Sequence, residues 1–445
     1  MTIAITPLEQ WIRRKADIAP GLQGSSFVKA LLDYQLDHLN ETIEYARHNS
    51  AFYRRHLAAC TTAPLSNLSD IVQLPFTAAS DLARDPFHFL AVRQDDVARI
   101  VTLRTSGSTS QPKRFFFSDD DLELTIDFFH HGMSTIVRPG QKVAVLLPSE
   151  QPDSVGDLLI RGLRRRDATA LAYGPVRDPL QAMREVSSFR ADCLVGIPTQ
   201  VLSMARSPLG PIGKGCIESV LLSTDYVPQA IVRSLEEVWG CRVFNHYGMT
   251  EMGLGGGVEC EALEGYHLRE GDLYFEVIDH GTGARCPDGV IGEVAFTTLT
   301  RRAMPLIRYR TGDIGRIISE PCPCGSVLRR MGRVRGRWDG VVRLGPEFTL
   351  TLADMDEVLF LLPDVLDYRA TLAEIGDGRF RLDIDVHRAK GGSTTVRKIL
   401  GMLHEIDTIQ KAIANGNLEA PFVCFSAEGR WTTNGVSKRR IVYAP

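Results

Sequence analysis

The sequence predicts an α/β protein in two parts: a large N-terminal domain of βαβ-type sheets with a small antiparallel or barrel-like subdomain, then a small α+β C-terminal domain. Three observations predict it. From about residue 98, short apolar runs alternate with helix-like stretches. Between 266 and 318 the runs become closely spaced strands. After the Gly- and Arg-rich stretch 332–345 a smaller set of helices and strands follows. The 445 residues are also too many for one ordinary core.

Residues 25–60 have helical periodicity, carried by Leu31, Leu32, Tyr34, Leu36, Leu39, Ile43 and Tyr45. The runs Arg99–Leu103, Lys142–Leu147, Cys193–Ile197, Ser219–Leu222 and Arg242–Phe244 each lead through Gly, Pro, Ser or Thr into a helix-like stretch. That is the pattern of parallel βαβ units. Asp272–Ile278, Gly292–Thr297 and Gly315–Ile318 read as the antiparallel set. Beyond it, helices are expected at 354–361 and 395–413, with strands near 366–372 and 379–386. The boundary falls at Gly336–Gly340, giving domains 1–336 and 337–445, with the β-rich subdomain at 266–330. No internal repeat is visible.

Composition narrows the function classes. The chain is 44% apolar and 24% charged with a net charge of −3, which gives no reason to expect nucleic acid or an anionic membrane as partner. No apolar run approaches the ~20 residues of a spanning helix. The N-terminal pattern, with Glu9 and Asp17, lacks the basic region and apolar core of a secretory signal. Nine cysteines, mostly scattered singly, suit a reducing compartment, and a cytoplasmic enzyme is expected.

Three polar turns carry the chemistry. In TSGSTSQPK at 105–113, the hydroxyls of Thr105, Ser106, Ser108 and Thr109 and flexible Gly107 can wrap a polyphosphate, and Lys113 adds a positive charge. Alone, this is also what an ordinary surface loop looks like, and no Walker-type loop occurs in the chain. HYGMTEMG at 246–253 sets Tyr247, Thr250 and Glu251 just after a strand, suited to stacking on a base, bonding a phosphate oxygen and holding Mg²⁺. YRTGDIG at 309–315 puts Asp313 on a turn, where one carboxylate can accept from both hydroxyls of a ribose. Each has a bland reading as a capped turn or a paired carboxylate; their combination points to one nucleotide. Cys322-Pro-Cys324-Gly is a tight thiolate pair, and Cys260 and His267 offer two more ligands. Three thiolates and one imidazole make a closed tetrahedral Zn²⁺ set, the alternative being free cysteines in a surface turn.

These residues resemble the adenylate-forming superfamily of acyl-CoA synthetases, adenylation domains and luciferases, in its phenylacetate–CoA ligase-like branch. The resemblance runs through LPFTAASDL at 74–82, the loop at 105–113, VGIPT at 195–199, HYGMTEMG, VECEALEGYHL at 258–268, FTTLTRRAMPLIRYRTGD at 296–313, PCPCG at 321–325 and GRWDG at 336–340. It implies ATP-dependent activation of a carboxylic acid to an acyl-adenylate, with Mg²⁺, then transfer to a thiol, coenzyme A, with AMP and pyrophosphate released. It also implies a mobile C-terminal domain and a structural Zn²⁺. By position, Thr105, Ser106, Gly107, Ser108, Thr109 and Lys113 form the phosphate loop. Ser223, Thr224 and Asp225 border the adenine, Tyr247 stacks on its other face, and Gly248 belongs to the same nucleotide site. Thr250 and Glu251 take the α-phosphate and Mg²⁺, Asp313 and Arg337 the ribose and phosphate. Asp339 is the hinge, and Gly345 resembles the glycine of the thiol tunnel.

The sequence departs from that pattern in four places. Ser110 replaces a glycine, Asp225 a glutamate, and the hinge reads Trp338-Asp339-Gly340. In TTNGVSKRR at 432–440, Val436 stands where similar enzymes have the lysine that bridges carboxylate and phosphate. Lys438 lies two residues on and is the substitute candidate; the bland reading of Lys438-Arg439-Arg440 is a solvated basic tail. Two alternatives stay open: transfer to an amine, alcohol or carrier-protein thiol, and a nucleotide-binding protein without turnover. The acid is not legible, with Phe128, Phe129, His130 and His131 as loose pocket candidates, and neither is oligomeric state, a homodimer included.

Overall fold

The computed structural model describes residues 3–103, 112–211, 213–376, 378–426 and 439–444. The chain forms two compact units: Met1–Arg138, Gln151–Asp167 and Asn245–Val334 in the first, Pro139–Glu150, Ala168–Phe244 and Arg335–Pro445 in the second.

The first unit holds the long helix Gly24–Asn49 and the short Ala51–His56 where one periodic stretch was expected. Ser50 divides them: its backbone is extended and its hydroxyl accepts from the Tyr53 amide, capping the second helix. Arg99–Leu103 pairs antiparallel with Lys113–Phe117 as a two-stranded ribbon, so it is not the start of a parallel βαβ unit. Helix Asp119–Met133 starts from a capping box in which Ser118 and Asp121 exchange bonds with each other's amides. A three-stranded antiparallel sheet runs in the order Leu273–Ile278, Gly292–Thr298, Tyr309–Gly315. Asp313 therefore lies in a strand rather than on a free turn. The register slips between Glu293 and Ala295, and Gly312, at φ +76°, takes up the irregularity beside it. Short strands Gly257–Glu259, Tyr266–Leu268, Arg330–Met331 and Ile317–Ile318 pair antiparallel in that order.

In the second unit, Thr169–Ala172, Lys142–Val145, Cys193–Gly196 and Ser219–Leu222 lie side by side and parallel; Thr169–Ala172 is an additional strand, and the last three match expected apolar runs. The last two are buried throughout, which is why they read as continuous apolar segments. Helices Pro179–Phe189, Pro198–Ala205 and Gln229–Trp239 follow, the first capped by Asp178 and the last closed by Gly240 in the left-handed conformation. The C-terminal part has a sheet ordered Phe422–Phe425, Arg379–Arg388, Val365–Gly376, Val442–Tyr443. Three helices accompany it, Leu352–Leu359, Val396–His404 and Asp407–Ala414, the last two standing where one was expected. One hydrophobic core joins these elements to the parallel strands, from Leu194 and Trp239 to Leu359, Ile384 and Ile399. Arg206 reinforces the contact by donating to the carbonyls of Phe360 and Leu362 at 2.7 and 2.8 Å.

Candidate active site

The phosphate-loop residues Thr105, Ser106, Gly107, Ser108 and Thr109, and Lys438 near the C-terminus, lie outside the described residues. Lys113, which opens strand Lys113–Phe117, is described. Its Nζ lies 2.6 Å from Oε1 of Glu251, with only 7% of Lys113 and 2% of Glu251 exposed. Glu251 stands on the single turn Thr250–Met252, directly after strand Arg242–Tyr247. The turn is forced by its glycines. A β-carbon on Gly248 would sit 2.3 Å from the Leu254 carbonyl, and Gly253 closes the turn at φ +73°. Tyr309 Oη donates to the same Glu251 carboxylate at 3.3 Å, and Arg301 Nη1 donates to the Glu251 carbonyl at 2.8 Å.

A second buried pair lies in the same unit. Tyr247 Oη donates to Asp313 Oδ2 at 2.8 Å, with 6% of Tyr247 and 1% of Asp313 exposed. Burial and the Asp313 carboxylate hold the phenol protonated well above its ordinary range, so it is a donor at any working pH. The amide of Asp313 is fixed by Thr311 Oγ1 at 2.9 Å. Structure thus brings the predicted residues together two by two: cation with metal-type carboxylate, aromatic with ribose-type carboxylate. Thr250 lies half-buried beside Glu251.

The other predicted residues belong to the second unit. Ser223, Thr224 and Asp225 follow strand Ser219–Leu222, and the Ser223 amide bonds the Gly196 carbonyl at 3.1 Å. Thr224 takes φ +78°, a conformation rare for a β-branched residue that turns the chain sharply there. Arg337 Nε contacts Asp339 Oδ1 at 3.3 Å, tying the predicted phosphate ligand to the predicted hinge. Gly345 turns the hairpin Val342–Leu344 to Phe348–Leu350 at φ +81°, and a β-carbon there would meet the Asn417 side chain at 2.5 Å.

Two groups escaped the sequence reading. Arg301 and Tyr309 hold Glu251, and nothing in their spacing reveals it. Arg439 does not belong to a solvated tail: its guanidinium is buried, with Nη1 2.8 Å from Asp356 Oδ1 and Nε 2.9 Å from Asp367 Oδ1. The signal was Asp356, an acid on the buried side of helix Leu352–Leu359 that needed a cation. Of the loose pocket candidates, Phe128 and Phe129 are buried, each 6.1 Å from the His246 ring. His131 stacks on Trp11 of the N-terminal helix Pro7–Lys15.

Cys260, His267, Cys322 and Cys324 converge, with one ligand atom from each lying within 4.8 Å of the others and all four residues buried. Cys260 Sγ is 3.6 Å from Cys322 Sγ, and Cys324 Sγ is 3.5 Å from His267 Nε2. A tetrahedron with bonds of about 2.3 Å has edges of about 3.8 Å, so this set fits one ion. The register places His267 opposite Val258 and Arg330, so three short strands bring the halves of the site together across a long sequence gap.

Residues 65–299 match the family of AMP-binding enzymes. Among curated proteins, a phenylacetate–coenzyme A ligase of Thermus thermophilus is 29% identical over 352 residues, 75% of this chain and 76% of the relative. One of Pseudomonas putida is 29% identical over 71% of this chain and 72% of its own. Among solved structures, a 2-hydroxyisobutyryl-CoA ligase with its 2-hydroxyisobutyryl-AMP aligns with a TM-score of 0.77 at 19% identity, covering 93% of this chain and 89% of that one.

Proposed function

Because the chain belongs to the family of AMP-binding enzymes, we infer that it is an AMP-forming acid–thiol ligase acting with ATP and coenzyme A. The observation that carries this is the family match over residues 65–299, which takes in the turn that holds Glu251. In the first step a carboxylate oxygen attacks the α-phosphorus of ATP, the bond to the β-phosphate breaks, and pyrophosphate leaves. In the second, the thiol sulfur attacks the acyl carbon, loses its proton, and AMP leaves. The protein's task in both is positioning and charge neutralisation.

The assignments of single residues are our proposal. Glu251 would hold Mg²⁺, which would neutralise phosphate charge; its hard oxygen suits that ion, and the Lys113 ammonium that pairs with it here would yield the carboxylate and turn to the phosphates. Lys113, with Thr105, Ser106, Gly107, Ser108 and Thr109, takes the β- and γ-phosphates, and Thr250 the α-phosphate. Tyr247 stacks on the adenine, Gly248, Ser223, Thr224 and Asp225 belong to the nucleotide site, and Asp313 and Arg337 take the ribose and phosphate. Lys438 is the catalytic lysine in place of Val436. Its neighbour Arg439 supports this, because a buried ion pair anchors the chain one residue away. Domain 337–445 moves about Asp339 between the steps, with Gly345 at the thiol tunnel. The four cysteine and histidine ligands hold a structural Zn²⁺, since a closed S₃N set leaves no position for substrate. None of the nine cysteines forms a disulfide, which suits the reducing, cytoplasmic site of action we propose; no described helix is long and apolar enough to cross a membrane.

The test is a screen of carboxylic acids, arylacetic acids first, for pyrophosphate release with and without coenzyme A. The reading predicts acid-dependent release and a CoA thioester. Release without any thioester transfers the product to another acceptor, and no release for any acid overturns the reading.

A further inference from the structure

We propose that Arg301 is a positioning residue for the ATP step, an inference that rests on the ligase reading. The guanidinium is nearly buried, at 6% exposure. Nη1 donates to the Glu251 carbonyl at 2.8 Å and Nη2 to the Phe116 carbonyl at 3.1 Å. One planar group therefore ties the turn that carries Glu251 to the strand that begins at Lys113. Those are the two elements whose side chains meet at 2.6 Å and which, on the ligase reading, carry the groups for the triphosphate and its metal.

The surroundings of Arg301 suit a strut and not an ion pair. No carboxylate among the described residues lies in ion-pair contact with it, and burial pulls its basicity below the ordinary range. Its charge is met by the two carbonyls, by the Phe117 ring, whose centroid lies 4.3 Å from Cζ, and at longer range by the Asp121 and Glu251 carboxylates. The segment from which it projects is itself fixed. Asp121, in the first turn of helix Asp119–Met133, accepts from the amides of Arg302 at 2.8 Å and Ala303 at 2.9 Å. Arg301 also lines a cavity of about 20 Å³ with Asp121, Thr125 and Met252, room for one water. A lysine at this position keeps the charge but has no planar fork to span two carbonyls at once. Its loss lets the turn and the strand drift relative to each other, which disturbs the separation of Lys113 and Glu251.

The test uses Arg301→Lys and Arg301→Gln in the full chain, with melting temperature, the KM values for Mg·ATP, acid and coenzyme A, and the Kd for a fluorescent ATP analogue. The proposal predicts at least one folded variant. Its KM for Mg·ATP and its Kd should rise about tenfold, the equivalent of one charge-assisted hydrogen bond, with the other two KM values unchanged. The effect should also be non-additive with Glu251→Gln. Unchanged Kd, a uniform rise in all three KM values, additivity, or failure of both variants to fold each overturns it. Failure of the ligase reading looks different: the wild-type chain then releases no pyrophosphate with any acid, whatever the Kd values of the variants.

Discussion

Lys113 and Glu251 occupy a site where water cannot screen them, so each depends on the other. Replacing Glu251 by Gln leaves a buried ammonium with no opposite charge. That should cost about 3–5 kcal/mol of stability, read by denaturant titration. Adding Lys113→Met should recover most of it, because no charge is then stranded; a double variant as unstable as Glu251→Gln alone contradicts the pairing. Tyr247 makes the companion argument. Tyr247→Phe removes the donor to Asp313 and should lower apo-protein stability by about 1–3 kcal/mol. The difference should shrink with saturating ATP, whose ribose hydroxyls replace the lost donor. A loss of equal size with and without nucleotide would show that Asp313 never meets the sugar. These residue identities were legible in the sequence because their motifs are short and local. Their mutual pairing was not, since Lys113 and Glu251 are 138 positions apart and the pairing arises from a ribbon, a turn and Arg301 acting together.

The N-terminal helix Pro7–Lys15 is an element with two attachments. Trp11 donates to Asp127 at 2.6 Å, and Glu9 accepts from Ser326 Oγ at 2.6 Å and the Val327 amide at 3.0 Å, next to Cys324. Burial opposes the Asp127 charge, but donors from His131 and Trp11 prevail and hold its carboxyl down to about 2. The folded value is below the ordinary one near 3.9, so the stabilisation is present above about pH 4 and is lost as pH falls towards 2. Tryptophan fluorescence should report release of the helix in that window, and Asp127→Asn should remove the pH dependence while weakening docking throughout. An identical acid limb in the variant would assign it to other groups. The second attachment predicts a link to metal. Purified protein should carry about one zinc per chain, and chelation should make residues 3–15 sensitive to protease. Absence of zinc with no change on chelation refutes the centre. Elements of continuous apolar character, such as Cys193–Gly196, were readable in advance, whereas the break at Ser50 and the bulge near Asp313 were not. Those features depend on a single hydroxyl cap and on cross-strand register, and periodicity carries neither.

At the scale of the molecule, the C-terminal part shares one core with the parallel strands, and Arg439 is clamped between Asp356 and Asp367. That clamp fixes where the chain re-enters after the segment containing Lys438. Lys438→Ala should slow pyrophosphate release about 100-fold and leave thioester formation from a supplied acyl-adenylate unchanged. Equal loss in both assays, or in neither, removes Lys438 from the adenylation step. The central claim is that separated polar turns grip one ATP, and a crystal structure with Mg²⁺ and a non-hydrolysable ATP analogue tests it most directly. The account predicts Glu251 on the metal with Lys113 turned to the phosphates, Tyr247 against the adenine and Asp313 on the ribose hydroxyls. A nucleotide bound elsewhere, with the Lys113–Glu251 and Tyr247–Asp313 pairs intact, would contradict it.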